Sequence, residues 1–266
     1  MPHFTITGAQ AQQFHADGYL IVPQIFDKAE TDVLYKIAKA DRDMDNAHAR
    51  LDTQGNTSRL RVHQYAGDDY YSAIARSRRI VDAMQTLLGD EVYHFHHKMM
   101  VKEPRVGGAW EWHQDYGYWY VQQSCLWPNL ASCMIAVDRA SKGNGCLQVI
   151  KASHLCGRVE HGTAGEQVGA DMGRVNAMLE RLERIYVELE PGDGLFFHCN
   201  LMHRSDQNRS ENPRWTLICC YNSKHNTPYC DNHTHPAYHR LEKLDDDAVL
   251  DVGQRQWEQM QTTTGA

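Results

Sequence analysis

The chain has no apolar run near the ~18 residues that a membrane-spanning helix needs, so no membrane partner is expected. Its start, MPHFTITG, lacks the charged-then-apolar layout of an export signal, and a cytoplasmic protein is the expectation. The eight cysteines include no CxxC pair, and several sit in apolar runs such as LICCY. They read as reduced, buried thiols rather than a disulfide framework. Positive charge is short: 27 Lys+Arg against 34 Asp+Glu leaves a formal net charge of −7, which argues against a nucleic-acid partner. The basic cluster Arg76–Arg79 reads as solvated surface. Internal repeats and Gly/Ser- or Pro-rich linkers are also missing, so residues 1–266 are expected to form one domain, as a monomer or homodimer. A hydrophobic fraction of 42% is enough for a real core and excludes a mainly disordered chain.

Histidine, in contrast, is abundant, with 16 residues of the commonest metal-ligand type. The periodicity around them changes along the chain. Residues 8–17 and 27–45 read as helices, the second capped by Asp27 with Glu30 three residues on, and YLIVPQIF between them reads as a strand or extended entry. Residues 72–88 continue the helical pattern to Gly89. This makes a helical part over about 1–90. From residue 91 the period falls to two, and strands are predicted at EVYHFHHKMMVKEP, GAWEWHQ, LASCMIAVD, CLQVIKAS, IYVELE, LFFHCN and RWTLICCYN. Asn144-Gly145 signals a two-residue hairpin. The β core is expected over about 91–224, with an insertion at about 157–184 carrying a helix at 170–184, and a polar C-terminal segment at 225–266. The predicted class is α+β with a mainly β core, an antiparallel barrel or sandwich with N-terminal helices packed on it.

Within this frame, His113 and Asp115 stand two apart on a predicted strand and project to one face. His203 follows the strand LFFHCN. Two histidines and one carboxylate form the facial set that suits non-heme Fe(II) and leaves coordination positions open. Arg214 and Thr216 share a face of the last predicted strand, where a guanidinium fork can hold a carboxylate. Other spacings look similar. His15 and Asp17 lie about 200° apart on a helix and are set aside. His94/His96 and His233/His235 can bind metal in a cupin-like barrel or simply pack as hydrogen-bonded rings.

The ordered pieces WHQD (112–115), NGCLQVIKASH (144–154), PGDGLFFH (191–198) and HRSDQNRSENPR (203–214) resemble the phytanoyl-CoA dioxygenase family of Fe(II)/2-oxoglutarate oxygenases. The resemblance implies a double-stranded β-helix (jelly-roll, cupin-like) fold. It implies His113, Asp115 and His203 as iron ligands and as the catalytic set. Arg214 would hold the distal carboxylate of 2-oxoglutarate, with Thr216, Ser205, Ser132, Lys98 and Met99 as further co-substrate candidates. The implied reaction consumes 2-oxoglutarate and O2, releases succinate and CO2, and hydroxylates an unactivated C–H bond. Related halogenases carry a small residue at the Asp115 position, so the carboxylate here favours hydroxylation. Desaturation, epoxidation or ring formation at the same iron site remains an alternative, as does a non-catalytic cupin-like protein that binds metal or 2-oxoglutarate. Aromatic and polar residues after the metal motif, namely Gln114, Tyr116, Tyr118, Trp119 and Trp127, are substrate candidates or core. Arg158, His161 and Arg174 in the insertion can meet an anionic group or stay solvated. No concentrated basic pocket marks a CoA site, so a small, polar metabolite is the expected substrate.

Overall fold

The computed structural model describes residues 4–230 and 235–264. In chain order its helices are α1 (Gly8–Asp17), α2 (Lys28–Ala40), α3 (Tyr70–Arg76), α4 (Arg78–Leu88), α5 (Asp115–Gln122), α6 (Met172–Leu179) and α7 (Asp246–Thr264). Its strands are β1 (Tyr19–Val22), β2 (His48–Leu51), β3 (Thr57–His63), β4 (Val92–Lys102), β5 (Trp110–His113), β6 (Leu130–Ala136), β7 (Leu147–Ile150), β8 (His161–Ala164), β9 (Gln167–Ala170), β10 (Arg184–Val187), β11 (Gly194–His198), β12 (His203–Ser205) and β13 (Arg214–Ser223). None of the described helices is long and apolar enough to cross a membrane.

Two antiparallel sheets make the core, as the expected jelly-roll requires. The larger runs β1-β11-β6-β13-β4-β3-β2 and the smaller β10-β7-β12-β5. Side-chain alternation along the larger sheet separates two cores. Ala131, Cys133, Ile135, Leu217 and Cys219 face outward onto Leu34, Ile37, Ile80 and Met84 of the helices. Met134, Leu195, Phe197, Ile218 and Cys220 face inward and meet Leu147, Val149 and Val187 of the smaller sheet. The inward space is where the polar chemistry sits.

The helices follow the sequence signals with two corrections. Asp27 and Glu30 form the expected capping box, but α2 stops at Ala40. Asp41 leaves the helical conformation and its side chain accepts from the Asp43 N–H, opening a 3-10 turn instead. The predicted 72–88 helix is two helices broken at Ser77, whose backbone is extended and whose hydroxyl donates to Ile74 O. The Asn144-Gly145 turn does not form a β-hairpin. β6 and β7 lie in different sheets, so the turn crosses between them, with Asn144 Oδ1 accepting from Ser141 N at 2.7 Å. The insertion carries α6 and an unforeseen β8-β9 hairpin. The strand expected at YLIVPQIF forms as β1, and with the unforeseen β2 and β3 it joins the larger sheet, so the first 90 residues are not purely a helical layer. The polar C-terminal segment ends in α7, whose Gln256 accepts from Tyr70 N at 2.6 Å and whose Asp246 pairs with Arg79 at 3.1 Å.

On the outward face, three imidazoles meet between β3 and β4. His63 lies opposite His97 and stacks on it at 4.7 Å, and His97 Nδ1 shares a 2.9 Å hydrogen bond with His94 Nε2. Burial is the main force lowering all three, ahead of their mutual repulsion and of Arg61, while Asp69 and Asp41 oppose it. His94 is held at about 4 against an ordinary 6.5. The unfolded chain takes up these protons near 6.5, so the stability from the neutral cluster is present above that pH and is lost as the pH falls toward 4. Urea midpoints should therefore fall steadily below about pH 6.5, and His94→Gln should flatten the slope by up to about 1.4 kcal/mol per pH unit. An identical slope in that variant would count against the cluster.

Candidate metal centre

His113 closes β5 and His203 opens β12, and the antiparallel register sets the two directly opposite one another. Opposed residues on one face of such a pair bring their side chains together, and the ring centroids are 4.1 Å apart. Each ring is oriented by its own backbone. His113 Nδ1 donates to Glu111 O at 2.7 Å and His203 Nδ1 donates to Leu201 O at 2.8 Å. That tautomer leaves both Nε2 lone pairs for a ligand. Burial pushes both imidazoles below their ordinary range, with His203 adding to the effect at His113, so both rings are neutral near pH 7.

Asp115 does not continue the strand. β5 ends at His113, Gln114 turns, and Asp115 is the first residue of α5. Its carboxylate gains from the positive end of the helix dipole and points back at the two rings, with Oδ1 3.9 Å from His113 Nε2. One ligand atom from each of the three residues lies within 4.8 Å of the others, and among the described residues these form the one such group. All three are buried, and Asp115 Oδ2 has no hydrogen-bond partner. A buried carboxylate oxygen without a donor costs free energy unless a cation satisfies it. Two neutral imidazoles and one carboxylate converging on one point thus fit a divalent iron.

The inner face of the larger sheet supplies the rest. Arg214 and Thr216 of β13 lie opposite Lys102 and Met100 of β4, and Ile218 lies opposite Lys98. Arg214 is buried, its Nε lacks a hydrogen-bond partner, and among the described residues no carboxylate lies within ion-pair distance. Among the described residues its side chain makes one hydrogen bond, to Thr216 Oγ1 at 3.5 Å. Burial pushes its pKa down to about 10. Lys98 Nζ stands 4.0 Å from Asp115 Oδ1. Ser132 faces inward and donates to Cys220 Sγ at 3.2 Å, and Ser205 shares the His203 face of β12. Met99 points the other way, into the helix-side core, because it alternates with Lys98.

Most aromatic candidates are structural. Tyr116 donates to Cys125 O at 3.2 Å and packs in the inner core. Trp127 is half exposed and lies against His225. Tyr118 reaches the centre, its ring 5.6 Å from that of His113 and its hydroxyl on Val168 O at 2.8 Å. Trp119 comes to the Asp115 side by helical spacing rather than strand alternation, and is buried against Phe95 and His96. Arg158 pairs with Glu160 and covers the Tyr120 ring; with Arg174 and Arg181 it lines a separate cavity of about 800 Å³.

Gln114 is not free for a substrate. Its Nε2 donates to Gly157 O and Asn200 O, both at 2.8 Å, and its Oε1 accepts from Val159 N at 2.7 Å. Its backbone N–H donates to His161 Nε2 at 2.9 Å. His161 seats against Gly117, where a Cβ would come within 2.3 Å of the imidazole. The insertion thus braces the start of α5 with a histidine that sequence reading offered as an anion contact.

The His94/His96 pair separates. A bulge at Phe95 shifts the register from Cys220 opposite His96 to Tyr221 opposite His94. His94 turns to His97, whereas His96 faces Trp119 at 5.7 Å and His235 at 5.0 Å. His233 lies outside the described residues. The i, i+2 spacing marked His96 and His235 as candidates, but that the two rings meet each other had no local signal, because a bulge and a C-terminal segment bring them together.

The model of the phytanoyl-CoA dioxygenase family matches residues 14–216. The chain belongs to that family. As a phytanoyl-CoA dioxygenase family member it is an Fe(II)- and 2-oxoglutarate-dependent dioxygenase. It is 27% identical to an ectoine dioxygenase of Sphingopyxis alaskensis over 243 residues, covering 83% of this chain and 77% of that one. It is 30% identical to an L-proline trans-4-hydroxylase of Streptomyces griseoviridis over 176 residues, 60% of this chain and 66% of the other. The crystal structure of EctD from S. alaskensis with 2-oxoglutarate and 5-hydroxyectoine superposes with a TM-score of 0.76 at 24% identity, covering 92% of this chain and 89% of that one. That last likeness shows the shared family fold.

If Gln114 braces the helix that carries Asp115, Gln114→Ala should cost about 1–3 kcal/mol, the scale of a buried group left unsatisfied. The Val159 amide should also lose hydrogen-exchange protection. Unchanged protection at that amide would refute the brace.

Proposed function

We propose that this chain hydroxylates an unactivated C–H bond of a small, polar metabolite, with His113, Asp115 and His203 holding the iron. The observation that carries this is the buried set of two Nε2 lone pairs and one undonated carboxylate oxygen converging on a single point. His113, Asp115 and His203 would hold the iron, which would supply the O2 activation that consumes 2-oxoglutarate and gives succinate and CO2. The protein residues do the remaining work. Arg214 would grip the distal carboxylate of 2-oxoglutarate, since a buried guanidinium without a carboxylate partner is completed by an anion. Thr216 would orient that guanidinium, and Ser205, Ser132 and Lys98 border the same interior.

The inner face of β4 and β13 is ordered along its length. Arg214 and Thr216 come first, Lys98 stands beside Asp115, and His96 lies beyond it under Trp119 and His235. The far wall is therefore made largely of aromatic rings, the polar-edged His96, Trp119 and His235 with Phe95 stacked among them. It suits a compact polar substrate, such as a cyclic amino or imino acid of the kind named for the relatives, better than a long acyl chain. We read the chain as acting on a diffusible metabolite in the cytoplasm, as a monomer or homodimer.

A screen of succinate release over free amino and imino acids, ectoine, phosphonates and acyl-CoAs tests the reading. Stimulation by a small polar compound is expected, and stimulation by acyl-CoAs alone would overturn it. His113→Ala and Asp115→Ala should abolish Fe(II)-dependent turnover and weaken Co(II) binding. Full turnover in either variant would remove the proposed ligand set. Arg214→Met should raise KM for 2-oxoglutarate by about tenfold or more, the scale of a lost charge-assisted pair, with little change in KM for the substrate.

A further inference from the structure

We propose that Lys102 is a positioning residue for the co-substrate end of the site. Its side-chain nitrogen ties the loop leading into β5 to the loop leaving β12, and so holds the two histidine strands in register beside Arg214. This rests on the iron and 2-oxoglutarate reading above. Lys102 is the last residue of β4, is 1% exposed, and lies directly opposite Arg214. Nζ donates to Gly108 O, five residues before His113, and to Asp206 O at 2.7 Å, three residues after His203. Two N–H donors serve two carbonyls whatever the protonation state. Burial, and then Arg214 beside it, push its pKa well below the usual lysine range.

The surrounding loops are shaped to this nitrogen. A Cβ on Gly107 would stand 2.8 Å from both Cα and Cβ of Lys102, so only glycine lets the loop lie flat against the lysine. Asn208 closes the same junction, its N–H on Gly107 O at 2.8 Å and its Nδ2 on Lys102 O at 3.3 Å. Among the described residues no carboxylate lies within ion-pair distance of Lys102. A buried lysine that is not part of an ion pair is costly, and methionine would fill the position without that cost. What methionine cannot do is draw two loop carbonyls to one point. The residue is thus placed to set geometry rather than to add stability.

The test uses the full chain as Lys102→Met and Lys102→Arg. Calorimetric titration of 2-oxoglutarate into the Co(II)-loaded protein should show about tenfold weaker binding for Lys102→Met, and Lys102→Arg should recover most of it. A lower Tm in Lys102→Met with unchanged 2-oxoglutarate affinity would overturn the proposal, because a purely structural residue behaves that way. In the wild type, the Gly108 and Asn208 amides should exchange as slowly as those of β4 and β13. Exchange there at loop rates would overturn the clamp even if Lys102→Met failed to fold. A wild type that binds neither Co(II) nor 2-oxoglutarate would instead refute the iron reading on which the inference stands.

Discussion

The pairing of β5 with β12 is the constraint on which the site depends. It sets His113 opposite His203, and in an antiparallel pair opposed side chains have no freedom to drift apart. Because each Nδ1 is spent on a carbonyl two residues upstream, the strand backbone dictates ring orientation as well as ring position. The carboxylate then needs only a change of direction. By ending β5 at His113 and starting α5 at Asp115, the chain folds the third ligand back over the first.

That change of direction is secured from outside the barrel. The insertion supplies His161 and the carbonyl of Gly157, and Gln114 donates to both, through its backbone N–H and its side-chain amide. A segment that looks peripheral along the chain therefore stabilises the start of the helix bearing a metal-site residue. The barrel interior also carries a concentrated set of ionisable groups: Arg214, Lys98 and Lys102 face inward from β13 and β4, and Asp115 meets Lys98 from α5. Such groups are costly to desolvate and are tolerated where ligands or backbone dipoles complete them. Their order along β4 and β13 gives the interior a polarity, with cations at one end and imidazole and indole rings at the other.

Much of the fold was legible locally. The helix at α1, the capping box of α2, the stop at Gly89 and the period-two runs of β4, β6, β11 and β13 each carry their own signal. Short strands with little apolar content, such as β2, β8 and β12, did not, because their pairing is decided by partners far away in sequence. The ligand set His113, Asp115 and His203 was legible from order and spacing, although the strand rule offered for Asp115 gives way to a helix start. Gln114 and Met99 were misplaced for one common reason. A residue's neighbours in sequence do not say which side of a strand end or turn it will serve.

The sequence by itself determined the residue types that can meet a metal and a dicarboxylate, the alternation that buries one face of each strand, and the helix caps. These depend on contacts within a few residues. Tertiary structure alone decided that a bulge at Phe95 sends His94 outward and His96 inward, and that His235 returns from the C-terminal segment to meet His96. It also decided that Lys102 reaches carbonyls of two loops about a hundred residues apart. Each of those outcomes depends on strand register across the whole sheet, which no local pattern encodes.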